Sequence, residues 1–392
     1  MQEAALAPSN TCYIASSHIP LLNLLRAFRW REYKYHYSAP ADLDSTSVNT
    51  ALRNILTLWR YADPSHGPYV KAQGASIADA LVFARGLNSS QPRDHVFGLL
   101  GLIRYRSLPK AIMERLRPAY SRSVLDVFRD ATVAGLIEKE GIPDLIFEEI
   151  VHRHDDGVSA SLGANRWPSW VPKWSDARDL DDYPGRLNKW SFSASGHKPF
   201  DFIEVDDVTI QVRGTIIDEV ASVTDIYRVR DWSQADNSQN LLSWLQEVDG
   251  LGYGHARPAI NTVLLAGLNG EGRPATEQDL NAFETFREAI IKHQQHGPGS
   301  SCSTRVSEVF ERMCNSRRFF RTARQGSIGI GPNFMRPRDK VVVVHGCRAP
   351  IIIRPLDEET HSVVGECYVH GIMNGEVMGK VHSMGNEMIK LT

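Results

Sequence analysis

What the sequence lacks narrows it before anything else. No stretch of the 392 residues approaches the roughly 20 consecutive apolar residues that a membrane helix needs. The start, Met1-Gln2-Glu3-Ala4-Ala5, has no basic segment leading into an apolar one, so no secretory leader is read there. Cysteine is scarce. The five residues Cys12, Cys302, Cys314, Cys347 and Cys367 show no metal-ligand spacing, and their odd number fits reduced intracellular thiols rather than a disulfide frame. Neither sign of charge is in excess, with 44 Lys and Arg against 46 Asp and Glu and a net charge of -2. The lack of a basic surplus argues against a dedicated nucleic-acid binder. The expectation is a soluble protein of the cytoplasm, with the nucleus not excluded, and with neither nucleic acid nor membrane as partner.

What is present is ordinary globular material, 42% hydrophobic and 23% charged. The chain is long enough for one large or two ordinary domains. Its most ordered stretch is 317–378. Two β-branched runs, Val341-Val342-Val343-Val344 and Ile351-Ile352-Ile353, flank the turn-like His345-Gly346-Cys347-Arg348-Ala349-Pro350. A third run, 363–369, follows Asp357-Glu358-Glu359-Thr360, and Ser327-Ile328-Gly329-Ile330 precedes them. Such runs bounded by turn residues predict antiparallel strands, here a meander buried on at least one face. Residues 202–205 and 208–220 alternate apolar and polar around Asp206-Asp207, which predicts a hairpin joining the same sheet.

Helical periodicity fills the rest. Leu21, Leu24, Leu25 and Phe28 form a stripe behind Pro20, and Leu52, Ile55, Leu56 and Trp59 form another behind Asn49. Ser76 with Asp79 predicts a capped helix over 76–85, and Ser123 one whose apolar side is Val124, Val127, Phe128, Ala131 and Ile137, stopped by Gly141-Ile142-Pro143. Further helices are expected over 238–248, 259–268, 276–293 and 307–315. Residues 293–300 read as a tether and 385–392 as a tail.

Each motif with a chemical reading also has a plainer one. Arg29 to Tyr37 interleaves bases with aromatics, as a nucleic-acid groove does, but reads as the end of an amphipathic helix. Arg93-Asp94 either positions a charged ligand or caps a helix, with Asp94 at its positive end. His95 stands without a second ligand. His152 and His154 point apart in helix or strand and lack a zinc-like second pair, and His293 and His296 read as surface residues. Trp167-Pro168-Ser169-Trp170-Val171-Pro172-Lys173-Trp174 cannot be helical and is expected to run extended, burying its indoles. Gly326, Gly329 and Gly331 invite a phosphate-loop reading, but no helix follows them, so they read as hairpin glycines. Nothing places Glu366 and Glu376 across a cleft as an acid–base pair. No catalytic, cofactor-binding or metal-ligating residue is therefore assigned.

Several short words in order resemble the region C-terminal to the HET domain of fungal heterokaryon-incompatibility (HET) proteins. They are Arg317-Arg318-Phe319-Phe320-x-Thr322, Gly326-x-Ile328-Gly329-x-Gly331-Pro332, Arg336-Pro337-x-Asp339-x-Val341, and Ala349-Pro350 before Ile352-x-Arg354-Pro355. A further word is Gly365-Glu366-x-Tyr368-Val369-x-Gly371-Ile372-Met373-x-Gly375-Glu376. Earlier pieces also match: Pro92-Arg93-Asp94-x-Val96-Phe97-Gly98-Leu99-Leu100-Gly101-Leu102, the word around Tyr120, Ser123, Val127 and Asp130, and the Trp segment. Two departures stand out. Ala119 replaces an acidic residue, and Arg338 stands where the family turns with Gly-Asp, implying another turn type. Gln2-Glu3 resembles the close of the HET domain itself, which implies that the chain opens where that domain ends.

The reading is an α+β fold: helices from 19–150 and 238–316 packed on a mostly antiparallel sheet drawn from two separate parts of the chain, 200–220 and 327–370. Four stretches are expected in one composite domain. They are a helical region 1–150, a Trp/Pro-rich extended segment with first strands 151–230, a helical region 231–316 and a β-meander 317–392. The resemblance implies a non-enzymatic regulatory or interaction scaffold with protein partners, tied to self/non-self recognition and programmed cell death. Two other readings stand beside it: an accessory protein or enzyme of a small-molecule (secondary metabolite) pathway, and a truncated gene model whose missing N-terminus carries the working domain.

Overall fold

The computed structural model describes residues 10–35, 76–85, 87, 89–103, 108–138, 146–147, 150, 167–175, 192–228, 235–296, 305–380 and 387–392. The chain divides into two units, one of residues 1–142 with 173–180 and one of residues 143–172 with 181–392.

The first unit opens with an antiparallel hairpin, β1 (Thr11–Ile14) and β2 (Ser17–Pro20), leading into α1 (Leu21–Tyr35). Leu25 of the expected stripe is buried. The helix expected over 48–61 and the histidines at 152 and 154 lie outside the described residues. α2 (Ile77–Ala84) is capped by Ser76, whose hydroxyl accepts the Asp79 N–H at 3.0 Å. After α3 (Asp94–Phe97) and α4 (Lys110–Arg115) comes α5 (Val124–Ile137), capped by Ser123 through the Asp126 N–H at 3.0 Å. Every residue of α5 from Asp130 to Leu136 is buried, so this is a central helix rather than a one-sided one. It ends before the predicted stop at 141–143, which lies outside the described residues. Its C-cap Glu138 turns extended, and the Glu138 carboxylate accepts the Ile77 N–H at 2.9 Å, placing a negative charge on the positive end of α2.

The second unit follows with β3 (Phe202–Glu204) and β4 (Ile210–Val223), then α6 (Ala235–Leu251), α7 (Arg257–Leu264), α8 (Glu277–His296) and α9 (Arg305–Cys314). Strands β5 (Arg317–Thr322), β6 (Ile328–Pro332), β7 (Lys340–Val344), β8 (Ile351–Pro355), β9 (Thr360–Glu366), β10 (Tyr368–Val369) and β11 (Glu387–Leu391) complete it. The expected hairpin at Asp206-Asp207 is present, with Ile203 opposite Gln211. Two expectations fail here. Residues 293–296 continue α8 instead of starting a tether. The supposed tail is β11, which lies between β4 and β9, antiparallel to one and parallel to the other.

That last strand closes the sheet. β4 pairs with β7, β7 with β8, β8 with β9, β9 with β11, and β11 with β4 again, a complete ring. Register puts Ile210, Val212, Val342, Val344, Ile351, Ile353, Val363, Ile389 and Leu391 on one face, all no more than 3% exposed. They fill the interior, as side chains do in a small barrel. The opposite face, with Val341, Val343, Ile352 and Val364, packs on Met335, Ile372 and Val377. Burial on both faces is why these strands read as unbroken Val and Ile runs rather than alternating ones. Each such side chain stabilises by about 1.5–3 kcal/mol. Beyond a bulge at Ile217, the far end of β4 leaves the ring to pair with β5, which carries β6 and β10. Trp244, Leu264, Phe283, Phe310 and Met313 of the helices pack against Phe319, Ile328 and Ile330 of this extension.

Candidate functional site

The words that carry the resemblance meet one another in space, and charged side chains make the meetings. In the first unit the Arg93-Asp94 pair does start a helix, with Asp94 in the first turn of α3 at its positive end. Arg93 itself is the N-cap of α3 and makes no capping side-chain bond. Its Nε donates to the Arg122 carbonyl at 2.6 Å, and the Asp94 carboxylate accepts the Tyr120 hydroxyl at 2.6 Å. That bond holds the phenol above its ordinary value. The pair therefore ties α3 to the turn before α5. From α5, the Asp130 carboxylate (2% exposed) receives the Arg115 guanidinium at 2.6 and 2.9 Å and the Arg122 guanidinium on its other oxygen. His95 is buried on the short helix α3.

In the second unit three further joints recur. Arg317 of β5 is 1% exposed; it donates to the Glu366 carboxylate at 2.6 Å and to the Glu366 carbonyl at 3.2 Å. Arg354 of β8 grips Asp339 with a two-pronged fork, Nε to Oδ1 at 2.9 Å and Nη2 to Oδ2 at 3.1 Å. Arg354 also donates to the Phe334 carbonyl, and Asp339 accepts the Arg336 N–H. Asp218, brought inside by the β4 bulge, accepts the backbone N–H groups of Glu219, Arg324 and Gln325. Burial pushes its carboxyl up, but those amides outweigh it and hold it below the usual range.

The Trp segment splits its indoles between the units. Trp170 of the second unit is fully buried and donates to the Val208 carbonyl at 2.9 Å. Trp174, in the first, donates to the Thr132 hydroxyl at 3.2 Å. Immediately before Trp170, Ser169 closes the seam where β9 and β11 run parallel. Its hydroxyl accepts the Val363 N–H at 2.9 Å and donates to the Thr392 carbonyl. Sequence reasoning saw the indoles and missed this serine, because its partners lie 194 and 223 residues away.

The remaining candidates resolve as structure. Gly326 turns the β5–β6 hairpin at φ 67°, while Gly329 and Gly331 lie in β6. A Cβ at Gly329 would stand 2.3 Å from the Tyr368 carbonyl oxygen, so glycine is required by close approach. Glu366 is tied to Arg317, whereas Glu376 is exposed and accepts the Asn374 N–H; the two form no acid–base pair. Burial pushes the Cys314 and Cys367 thiols far up, away from the thiolate form that reacts. Among the described residues no group of three His, Cys, Asp or Glu side chains is placed to hold a metal ion, and no helix is long and apolar enough to cross a membrane.

A closed β-ring with a helix-covered sheet extension and buried charge pairs is thus the class of structure in hand. Comparison with known proteins agrees with the sequence words. Residues 280–384 match the family model of the Het-6 beta-barrel domain. The chain is similar to heterokaryon incompatibility protein 6, OR allele, of Neurospora crassa: 25% identity over 345 residues, covering 73% of this chain and 48% of the relative. The chain thus spans about half the length of that curated relative. Both findings are similarities to heterokaryon-incompatibility proteins. No solved structure matches. The family segment supplies β7, β8 and β9 of the ring, while β4 and β11 come from outside it.

Proposed function

We propose that this chain is a regulatory or interaction scaffold of fungal self/non-self recognition and programmed cell death, acting in the cytoplasm through protein partners rather than nucleic acid or membrane. The observation that carries the reading is the use of its buried charge. Asp130, Asp218, Asp339 and Glu366 are each already engaged by guanidinium or backbone amide groups. A general acid or base needs a carboxyl poised toward substrate, and these are committed to joints of the fold. Similarity to a heterokaryon incompatibility protein supports the biological setting.

The test is expression of the chain in fungal strains that differ in incompatibility genotype. The scaffold reading expects growth arrest in some genotypes and none in others, because a partner must be present. Arrest in every strain, with no other protein supplied, contradicts it.

A further inference from the structure

Two polar atoms of the second unit are buried with nothing to bond. His345, just past β7, is 4% exposed, yet its Nε2 has no hydrogen-bond partner among the described residues. Thr215 of β4 is fully buried, and its hydroxyl has none either. The two are neighbours on the sheet. Thr215 stands opposite Val343, and two residues along the same ladder the His345 N–H donates to the Arg213 carbonyl at 2.9 Å. Residues two apart on a strand share a face, so Arg213, Thr215, Val343 and His345 all lie on the outside of the ring.

Residues 193–201 lie across this face as a strap. At its start the Ser193, Ala194 and Ser195 N–H groups donate to the carbonyls of Met373, Arg348 and Cys347, and Ala194 packs in one cluster with Val343. At its end Phe200 occupies the space that a side chain at Gly346 would fill, where a Cβ would stand 2.5 Å from that of Phe200. Asp201 is bonded to the Arg213 guanidinium at 2.8 Å. Between these anchors, residues 196–199 are exposed, and His197 takes a left-handed φ of 63° that strains a non-glycine residue. Three charged groups face the imidazole: Lys198 and Asp201 from the strap and Arg213 from β4. Burial first, then Lys198 and Arg213, push it below its ordinary value against the opposing pull of Asp201.

We propose that residues 193–201 are a proton-operated latch, closed over the outside of the ring while His345 is neutral and released when the imidazole takes up a proton. In the closed state an imidazolium has a second N–H with no acceptor at Nε2, beside two cations and one carboxylate already tied to Arg213. Release brings water to Nε2 and to the Thr215 hydroxyl and lets the cations separate. A released histidine titrates near about pH 6.5 and the closed one lower, so opening grows as pH falls below about 6.5. The latch goes beyond the scaffold reading and does not rest on it.

Hydrogen exchange of the full chain, resolved to single amides and corrected for the intrinsic effect of pH, reads the latch at Ser193, Ala194 and Ser195. Between about pH 7 and 5.5 their opening is expected to rise by up to about eightfold, the limit for one proton taken up near 6.5. Amides of the β4–β7 ladder are expected to stay better protected than the strap at both values. His345→Phe keeps a ring of similar size that cannot be charged and is expected to abolish the dependence. Lys198→Gln, at an exposed side chain, is expected to raise the midpoint of the His345 imidazole titration followed by NMR. Strap opening that is the same at both pH values overturns the proposal, as does a dependence kept in His345→Phe. A parent midpoint at or above about 6.5 overturns it too. So does equal protection of strap and ladder, since the strap then opens only when the whole unit unfolds.

Discussion

Truncating Asp339 to alanine strips a buried guanidinium of its counter-charge. Arg354 and Asp339 are 10% and 1% exposed, so both are largely shielded from water. The fork contributes two charge-assisted bonds, and Asp339 also accepts the Arg336 N–H at 2.8 Å. Breaking one side of such a pair destabilises by about 3–5 kcal/mol, because the remaining charge stays buried without its partner. Asp339→Ala and Arg354→Ala are each expected to fall in that range. The double variant Asp339→Leu/Arg354→Met removes both charges and leaves only the Arg336 N–H and the Phe334 carbonyl to be re-satisfied, at about 1–2 kcal/mol each. Its loss is therefore about 2–4 kcal/mol against about 6–10 for the sum of the single variants, a coupling of about 5 kcal/mol. Urea denaturation followed by tryptophan fluorescence reads all of these. Single losses below about 1 kcal/mol, or additive ones, refute the reasoning, since that is how a solvated surface pair behaves.

Further predictions come from the same geometry. His345, His361 and His370 are held below the ordinary histidine value, chiefly by burial, with Lys198 and Arg213 adding at the first, Lys340 at the second and His255 at the third. The unfolded chain then takes up protons that the folded one refuses, so stability is full above about pH 6.5 and declines as pH falls through it. A melting temperature that holds or rises on acidification from about pH 7 to 5.5 contradicts this. Arg338 sits at φ 76°, a conformation costing an L-residue about 1–2 kcal/mol, so Arg338→Gly is expected to raise the melting temperature after the entropy that glycine adds to the unfolded chain. A lowered melting temperature means that the arginine side chain contributes more than the strain removes. Gly329→Ala drives a methyl to 2.3 Å from the Tyr368 carbonyl and 2.7 Å from the Phe320 ring. It is expected to cost about 3 kcal/mol or more, read as a fall in the urea midpoint, and a midpoint unchanged from the parent shows that β6 has room.

How much of this the sequence made legible follows from the range of each interaction. Ser76 and Ser123 announce their helices because a cap acts three residues away. The Val and Ile runs announce strands because burial on both faces writes itself into composition. Ring closure has no such local sign. β11 is Glu-Met-Ile-Lys-Leu, five residues of weak alternation, and it becomes a strand only because β4 and β9 offer it two edges. The bulge at Ile217 is equally silent, though it turns Asp218 inward. The Arg93-Asp94 word pointed to a helix start; its partners are Arg122 and Tyr120, 29 and 26 residues on, which no helix pattern encodes. Arg338 is the opposite case. A departure from a Gly-Asp turn was visible in the sequence, and the positive φ is its structural expression.

The central proposal is that the buried charged residues in the resembling words hold the fold together. Its most direct test is the Asp339→Leu/Arg354→Met chain, confirmed folded by a cooperative urea transition and then expressed across fungal incompatibility genotypes. The account predicts the same pattern of arrest as the parent chain. A folded variant that arrests no genotype contradicts it.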